Sequence, residues 1–398
     1  MRFAQITDVH LFDAGYKCSG SFVEREYQEN LNALRWSIGE INRHWNSGEK
    51  INFVVFTGDL GIVNLSGGPT GRAAPDPTLK CSQTSDPPGS YGPIAQMDFT
   101  TAETLLANIF GNLPRGIPVY FLPGNNDLTD EDPGTISRYD RFVAELRTLT
   151  HGRVVDLNNQ SSTEQGYTLV GLNSAGFKPQ TYTDSAFPGT TVNEAALVRT
   201  STVPASADGK MFYCEELSDN DTGSRAAQKA KVIQTFASAV SGPGPYLVFT
   251  HEPDLQDPYR NLDKTPATGG SCVYRSTWLL TTSARTQWLA SGLKNPKVLA
   301  IFAGHFHAAD LSKYGGPQTD GAVAAIDKAA NGGSAAGVAF GPQFVAPPLA
   351  IKLQWPVSPN TARGMMFVSL DNAHVTAQVD PYWSSLAPDC CGASSGVF

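Results

Sequence analysis

The chain has 398 residues, a formal net charge of −8, 41% hydrophobic residues and only 17% charged residues. This composition excludes a small disulfide-stapled scaffold and a charge-driven disordered chain, because it is long and apolar enough to build a large core. The acidic balance also argues against a protein with a nucleic-acid docking face, which would need a basic surface.

Short apolar runs alternate along the chain with longer segments of helical periodicity. In the first such segment, Leu31, Leu34, Ile38 and Ile41 recur every three or four positions. The predicted elements, in chain order, are a strand at 3–6, a helix at 26–44, a strand at 53–57, a helix at 100–113, a strand at 119–122, a helix at 136–149, a strand at 167–172, a helix at 226–240, a strand at 246–250, a helix at 285–293, a strand at 298–303 and a hairpin of 364–370 with 374–379. This alternation predicts βαβ units and an α/β fold.

Stretches rich in Gly, Pro, Ser and Thr interrupt this order and predict long loop insertions. We expect a single domain at 1–380 followed by a Cys-containing tail at 381–398. The predicted insertions lie near 61–98, 181–222, 252–283 and 321–348.

The six cysteines show no CxxC spacing, which argues against a thiolate zinc site or a thioredoxin-like redox site. Their even number allows three disulfides, as in an oxidising compartment, but all 15 pairings stay open. No run approaches the roughly 18 apolar residues of a membrane span, so we predict no transmembrane segment.

Five predicted strands end at short polar clusters that contain His, Asp or Asn. Because α/β sheets gather ligands at the carboxyl ends of their strands, we expect these clusters to converge. Together they offer three oxygen donors and four imidazoles: Asp8, Asp59 and Asn125, with His10, His251, His305 and His307. This mixed set favours Zn, Mn or Fe, whereas magnesium and calcium prefer oxygen ligands. Seven ligands exceed the needs of one tetrahedral ion, so we predict two divalent ions that share one bridging carboxylate.

The spacing within two clusters carries a further expectation. Side chains two positions apart in an extended segment point to the same side. Asp8 and His10, and likewise His305 and His307, should therefore each offer two ligands to one site.

The motifs DVH, GD, GNND, TH and GHFH resemble, in this order, the metallophosphoesterase (calcineurin-like phosphoesterase) superfamily. The pattern of that superfamily is DxH, GD, GNH followed by Asp or Glu, H, and GHxH. The resemblance spans residues 8–307. It implies a four-layer αββα sandwich with two mixed β-sheets and hydrolysis of a small phosphate ester, by in-line attack of a hydroxide held between two metal ions. It assigns Asp8, His10 and His307 to one ion, Asn125, His251 and His305 to the other, and Asp59 to the bridge.

Several positions depart from the patterns of related enzymes. Asn126 stands where the superfamily has a His, and an amide can donate a hydrogen bond to phosphate but cannot act as a general acid. Asp127, which supports that His in the family, is expected to orient Asn126. Val63 stands where acid sphingomyelinases have a second proton donor, and GNND is similar to the motif of endopolyphosphatases. Ile62 replaces the metal-binding Tyr of purple acid phosphatases, which argues against a tyrosinate-bound ferric ion.

The long insertions and the tail with its cysteines resemble the acid sphingomyelinase-like phosphodiesterase branch. That resemblance implies a phosphodiesterase with a secreted or periplasmic location, its signal peptide absent from this numbering; a cytoplasmic location stays open. The alternatives are a hydrolase of polyphosphate or nucleotide phosphoanhydrides, a phosphomonoesterase and, in a different class, a metal-binding interaction scaffold with little turnover. Asn126 predicts a preference for good leaving groups.

Overall fold

The computed structural model describes residues 1–12, 21–62, 65, 97–124, 126–128, 133–174, 181–183, 191–193, 224–251, 291–292, 295–305, 343–349, 363–371 and 374–382. The described elements, in chain order, are β1 (Arg2–Ile6), α1 (Ser21–Asn46), β2 (Phe53–Thr57), α2 (Phe99–Phe110), β3 (Val119–Leu122), α3 (Pro133–Leu149), β4 (Val154–Asp156), β5 (Ser161–Glu164), β6 (Tyr167–Leu172), β7 (Thr181–Thr183), β8 (Thr191–Asn193), α4 (Ser224–Ala239), β9 (Tyr246–Thr250), β10 (Val298–Ala303), β11 (Gln343–Val345), β12 (Gly364–Asp371) and β13 (His374–Pro381).

The strands form two large mixed sheets. The first has the order β13-β12-β1-β2-β3-β4. Strands β1 to β4 are parallel, β12 runs antiparallel to β1, and β13 runs antiparallel to β12. The second has the order β11-β10-β9-β6-β5, and only β5 runs antiparallel to its neighbour. The short strands β7 and β8 pair with each other.

Three apolar interfaces join these sheets and the helices into layers. Between the sheets, Phe3 stacks on Phe53 with ring centroids 4.7 Å apart, and Phe249 stacks on Phe302 at 5.2 Å. Such aromatic pairs add about 0.5–1.5 kcal/mol beyond the area they bury. Helices α1, α2 and α3 pack on the first sheet, and α4 packs on the second. The fold is therefore a four-layer αββα sandwich, as the sequence predicts.

Most predicted elements are confirmed within a few residues of their expected ends, because continuous apolar runs and helical periodicity are local signals. α2 begins at Phe99, where the Asp98 side chain accepts a hydrogen bond from Thr101 N at 2.7 Å. The predicted helix at 285–293 lies outside the described residues except for 291–292.

Other strands were not predicted. The Ala- and Gly-rich insertion at 321–348 contributes β11, and the insertion at 181–222 contributes β7 and β8. Strands of three residues are too short to display a period, so their pairing partners define them. β13 also reaches Pro381, one residue past the predicted end of the domain, and Tyr382 N donates to Arg363 O at 2.7 Å.

The sequence also carries expectations about a transmembrane segment and about disulfide bonds. Across the described residues, no helix is both long and apolar enough to span a membrane. All six cysteines lie outside the described residues, so the predicted disulfides do too.

Candidate metal centre

The carboxyl ends of strands from both sheets meet at one place. Asp8 and His10 follow β1, Asp59 follows β2, His251 follows β9 and His305 follows β10. Four of these side chains are almost completely buried, and His305 is partly exposed. The topology brings these loops close to one another, because β1, β2, β9 and β10 end at the same edge of the sandwich.

Two groups of donor atoms share the Asp59 carboxylate. One group consists of Asp8, His10 and Asp59, and the other of Asp59, His251 and His305; within each, the donor atoms lie within 4.8 Å of one another. Asp59 Oδ2 lies 3.6 Å from His10 Nε2, and Asp59 Oδ1 lies 3.3 Å from His251 Nε2. Each carboxylate oxygen therefore faces a different group. The other two predicted ligands, at positions 125 and 307, lie outside the described residues.

The His251 imidazole is oriented by the main chain. Its Nδ1 lies 2.6 Å from Thr57 O, and because a carbonyl oxygen only accepts, Nδ1 carries the proton. The Nε2 lone pair then points toward the cluster, with His305 Nδ1 at 3.2 Å. A carbonyl behind the imidazole is the arrangement that fixes the tautomer of metal-binding histidines.

The carboxylate of Asp8 is also fixed from one side. Its Oδ2 accepts hydrogen bonds from Thr7 Oγ1 at 2.7 Å and from His305 N at 2.8 Å. Its Oδ1 faces His10 Nε2 at 3.9 Å. The bond from His305 N joins a loop of the second sheet to a loop of the first, so the two halves of the site are held in register.

The backbone of the site is not extended, contrary to the expectation for the DxH spacing. Asp8, His10, Asp59 and His305 have φ values of 51°, 43°, 62° and 70°, in the left-handed region. This region costs non-glycine residues roughly 1 kcal/mol or more each, and its use is typical of functional sites. Hydrogen bonds between the two loops, such as His10 N to Asp59 O at 2.7 Å, offset that cost. Left-handed turns, not strand alternation, bring Asp8 and His10 together.

Glycines of the motifs provide space for the ligands. A Cβ at Gly124 would lie 2.2 Å from Asp59 Oδ1, and a Cβ at Gly304 would lie 1.8 Å from Thr7 Oγ1 and 2.8 Å from Asp8 Oδ2. No side chain fits at either distance. The glycines of GNND and GHFH are therefore required by close approach.

The Asn126 side chain contacts the shared carboxylate. Asn126 N donates to Asp59 Oδ1 at 2.8 Å, and Asn126 Nδ2 donates to Asp59 Oδ2 at 2.6 Å. The amide is only partly buried. Asn126 thus orients the carboxylate that lies between the two groups.

The buried Asp127 carboxylate joins two loops through five main-chain N–H groups. Its Oδ2 accepts from Asp59 N and Gly124 N, both at 2.9 Å. Its Oδ1 accepts from Leu60 N, Gly61 N and Ile62 N at 2.8–3.1 Å. Burial raises the pKa of Asp127, the Asp59 charge raises it further, and the N–H donors oppose both effects. The sequence predicts that Asp127 orients Asn126, and it does not indicate that Asp127 binds main-chain N–H groups of two loops. No residue type in these loops signals that role.

The donor set fits divalent transition-metal ions, because buried imidazoles and carboxylates with fixed orientations are their usual ligands. Fold and site together define an αββα protein with a candidate two-ion centre at the strand ends. The family model described as calcineurin-like phosphoesterase (Metallophos) matches residues 1–309, and the chain belongs to this family of metal-dependent phosphoester hydrolases. No curated protein is similar enough in sequence to count as a relative.

Proposed function

We propose that the chain is a dinuclear-metal-dependent phosphodiesterase. The observation that carries this proposal is the Asp59 carboxylate, whose two oxygens face two different groups of candidate ligands, buried except for the partly exposed His305. The proposed ligands are Asp8, His10 and His307 for one ion, Asn125, His251 and His305 for the other, and Asp59 for both. Zn is the favoured ion for the mixed nitrogen and oxygen set, with Mn and Fe as alternatives.

Two divalent ions bound here would supply a hydroxide nucleophile near neutral pH and would neutralise the charge of the phosphate oxygens. The chain itself supplies orientation. Thr57 O holds the His251 ring, His305 N holds Asp8, and Asn126 holds both oxygens of Asp59. Because these contacts are mostly to main-chain atoms, little reorganisation is required when substrate arrives.

The nature of Asn126 limits the leaving group. An amide has no proton to give at neutral pH, so a departing oxygen that Asn126 could reach must leave as an anion. This favours diesters with an acidic leaving group over alkyl diesters such as sphingomyelin. The same property supports a second candidate, a phosphoanhydride hydrolase, because a phosphate leaving group needs little protonation. The cysteine content supports, by similarity, an extracytoplasmic location.

A first experiment separates the hydrolase from a non-catalytic scaffold. Protein loaded with Zn, Mn or Fe is assayed on bis-p-nitrophenyl phosphate, p-nitrophenyl phosphate and an inorganic polyphosphate. We expect metal-dependent turnover with the diester preferred, and a loss of about 10³-fold in kcat/KM for Asp59→Ala. Asp371→Asn, at an exposed position of β12, is the matched control and should retain full activity. Absence of turnover, with Asp59→Ala equal to wild type, would leave only the scaffold.

A second experiment tests the role of Asn126. Rates on diesters with leaving groups of increasing pKa should fall steeply for the wild type and less steeply for Asn126→His, which restores an ionisable group. Equal rates on alkyl and aryl diesters in the wild type would contradict the proposal that leaving-group protonation is missing. Preference for the polyphosphate over both diesters would favour the second candidate.

A further inference from the structure

A second cluster of metal-ligating side chains lies between α1 and β13. We call it the edge cluster and define it by Glu40, Arg43, His44, Glu49 and Asp380. Glu40 and His44 are four positions apart on α1 and share one face of that helix. Asp380 lies on the outermost strand of the first sheet. Donor atoms of Glu40, His44 and Asp380 lie within 4.8 Å of one another.

The His44 imidazole has the orientation of a metal ligand. Its Nδ1 lies 2.5 Å from Glu49 Oε2, and its Nε2 lies 3.3 Å from Asp380 Oδ2. The Arg2 guanidinium lies 2.7 Å from the same Glu49 oxygen, and an ionised carboxylate only accepts hydrogen bonds. Nδ1 is then the donor to Glu49, and Nε2 is the ring nitrogen that faces Asp380. A carboxylate behind the imidazole is the usual support of metal-binding histidines.

The Arg43 guanidinium lies among the three donors. Arg43 Nε donates to Glu40 Oε2 at 2.6 Å, and Arg43 Nη2 lies 3.1 Å from His44 Nε2 and 3.4 Å from Asp380 Oδ2. A guanidinium only donates, so its approach to Nε2 agrees with a lone pair on that atom. The three donors thus already face a cation. The Arg43 side chain is 57% exposed, whereas those of His44 and Asp380 are 15% exposed, so Arg43 can leave while the donors stay.

We propose that the edge cluster is a separate binding site for one divalent transition-metal ion of the zinc type. Glu40, His44 Nε2 and Asp380 bind the ion, Glu49 orients the imidazole, and Arg43 competes with the ion for the same donors. One nitrogen and two carboxylate oxygens suit zinc, and a water completes the tetrahedron. A bound ion would fasten the end of α1 to the edge strand β13.

This site is distant from the candidate metal centre. Arg2, which contacts Glu49, begins β1, whereas Asp8 and His10 follow the end of that strand. A strand of five residues spans about 13 Å at 3.3 Å per residue. The proposal therefore does not depend on the proposed function, and its test has a readout other than hydrolysis.

The test is a calorimetric titration of Zn²⁺ into protein whose candidate metal centre is already loaded with metal. Mass spectrometry counts the bound ions. The wild type should bind one further ion, and His44→Gln should lose it. Glu49→Gln should weaken binding by about 10- to 100-fold, because the support of the imidazole is lost. Arg43→Gln should tighten binding by about 10-fold or more, because the competing charge is removed. His151→Gln removes an exposed histidine elsewhere and should change nothing.

The comparison of Arg43→Gln with Arg43→Gln/His44→Gln separates ion binding from folding effects, because both variants lack the same ion pairs of Arg43. One ion of difference between them supports the site, as does a Zn²⁺-dependent rise in unfolding temperature in the first variant alone. Equal stoichiometry in the two variants would overturn the proposal, and so would Ca²⁺ binding without Zn²⁺ binding. Either result would reduce the edge cluster to ion pairs around Arg43.

Discussion

The candidate metal centre and the edge cluster combine the same residue types in two different ways. In the centre, four of the five described candidate ligands are almost completely buried, and main-chain groups such as Thr57 O and His305 N fix their orientations. In the edge cluster, the donors are partly exposed and are fixed by side chains, above all Arg43 and Glu49. Main-chain support keeps ligands in place without a counter-charge, whereas side-chain support can be exchanged for another cation.

This difference predicts different sensitivities. Salt weakens the interaction between exposed charges, with a screening length of about 10 Å at 0.1 M ionic strength. Buried hydrogen bonds to the main chain are screened much less. The candidate metal centre should therefore respond to changes of shape, and the edge cluster to changes of charge. Three substitutions, at Gly124, Asp127 and Asp380, test this distinction.

The largest effect is expected for Gly124→Ala. The new Cβ would lie 2.2 Å from Asp59 Oδ1 and 2.3 Å from Asp59 N, so the shared carboxylate must move. A misplacement of about 1 Å at a catalytic group costs on the order of 10²-fold, and we expect a loss of 10²-fold or more in kcat/KM at saturating metal. Gly39→Ala is the matched control, because a Cβ there meets nothing within 4 Å and should stabilise α1. Activity of Gly124→Ala within a factor of ten of wild type would contradict the assignment of Asp59.

Asp127→Asn should destabilise the fold by about 2–4 kcal/mol. The amide keeps one acceptor oxygen but turns an N–H₂ group toward main-chain N–H donors, so buried donors lose their partner. Urea unfolding measures the free energy, and metal analysis of the folded variant should show weaker retention of metal. Asp371→Asn, with the same change of atoms at an exposed site, should cost little. A cost as small for Asp127→Asn would mean that Asp127 does not hold the loops.

A pH dependence unrelated to either cluster should come from Glu103 on α2. Burial first, and the charge of Glu145 second, raise the pKa of Glu103 to about 7 from its usual 4.5. The native state therefore binds the extra proton between pH 4.5 and 7, and the free energy of unfolding falls as pH rises through this window. Glu103→Gln should remove that slope and exceed the wild type by about 1–2 kcal/mol at pH 8, less than the full shift implies because water screens the charge. An unchanged slope in urea unfolding would assign the dependence to other groups.

The smallest effect is expected for Asp380→Asn in the edge cluster. Ion pairs of this kind contribute about 0.2–1 kcal/mol, so without added zinc the variant should lose no more than that in unfolding free energy. The difference should shrink in 1 M salt, and kcat/KM should not change. A loss of activity would show that the two clusters are coupled, which is contrary to the distinction drawn above.

The positions of the candidate ligands could be predicted because each follows a strand that is recognisable from its local sequence. The first four residues of β2, FVVF, are apolar, the whole strand is buried, and Asp59 comes two residues after its end. The topology of an α/β sandwich then places such residues at one edge. The sequence therefore predicts which side chains meet, as it does for Asp8, His10, Asp59, His251 and His305.

The way in which these residues meet could not be predicted. None of Asp8, His10 and Asp59 is Gly, so their residue types alone do not predict left-handed φ values. The partners of Asp127 are main-chain amides, which every residue except Pro carries. The contact of His44 with Asp380 joins residues 336 positions apart, and no local pattern in the sequence indicates it.

The pairing of β1 with β12 has a consequence for the order in which the protein is made. Arg2 on β1 pairs with Ser369 on β12, and the two residues are 367 positions apart. A ribosome adds roughly 5–20 residues per second, so β1 waits tens of seconds with one open edge. During that time the strand that leads to Asp8 and His10 offers its amides to any other extended chain. The nascent chain is thus most exposed to mispairing at the strand that later supplies two of its candidate metal ligands, and assistance during synthesis should matter most before β12 emerges.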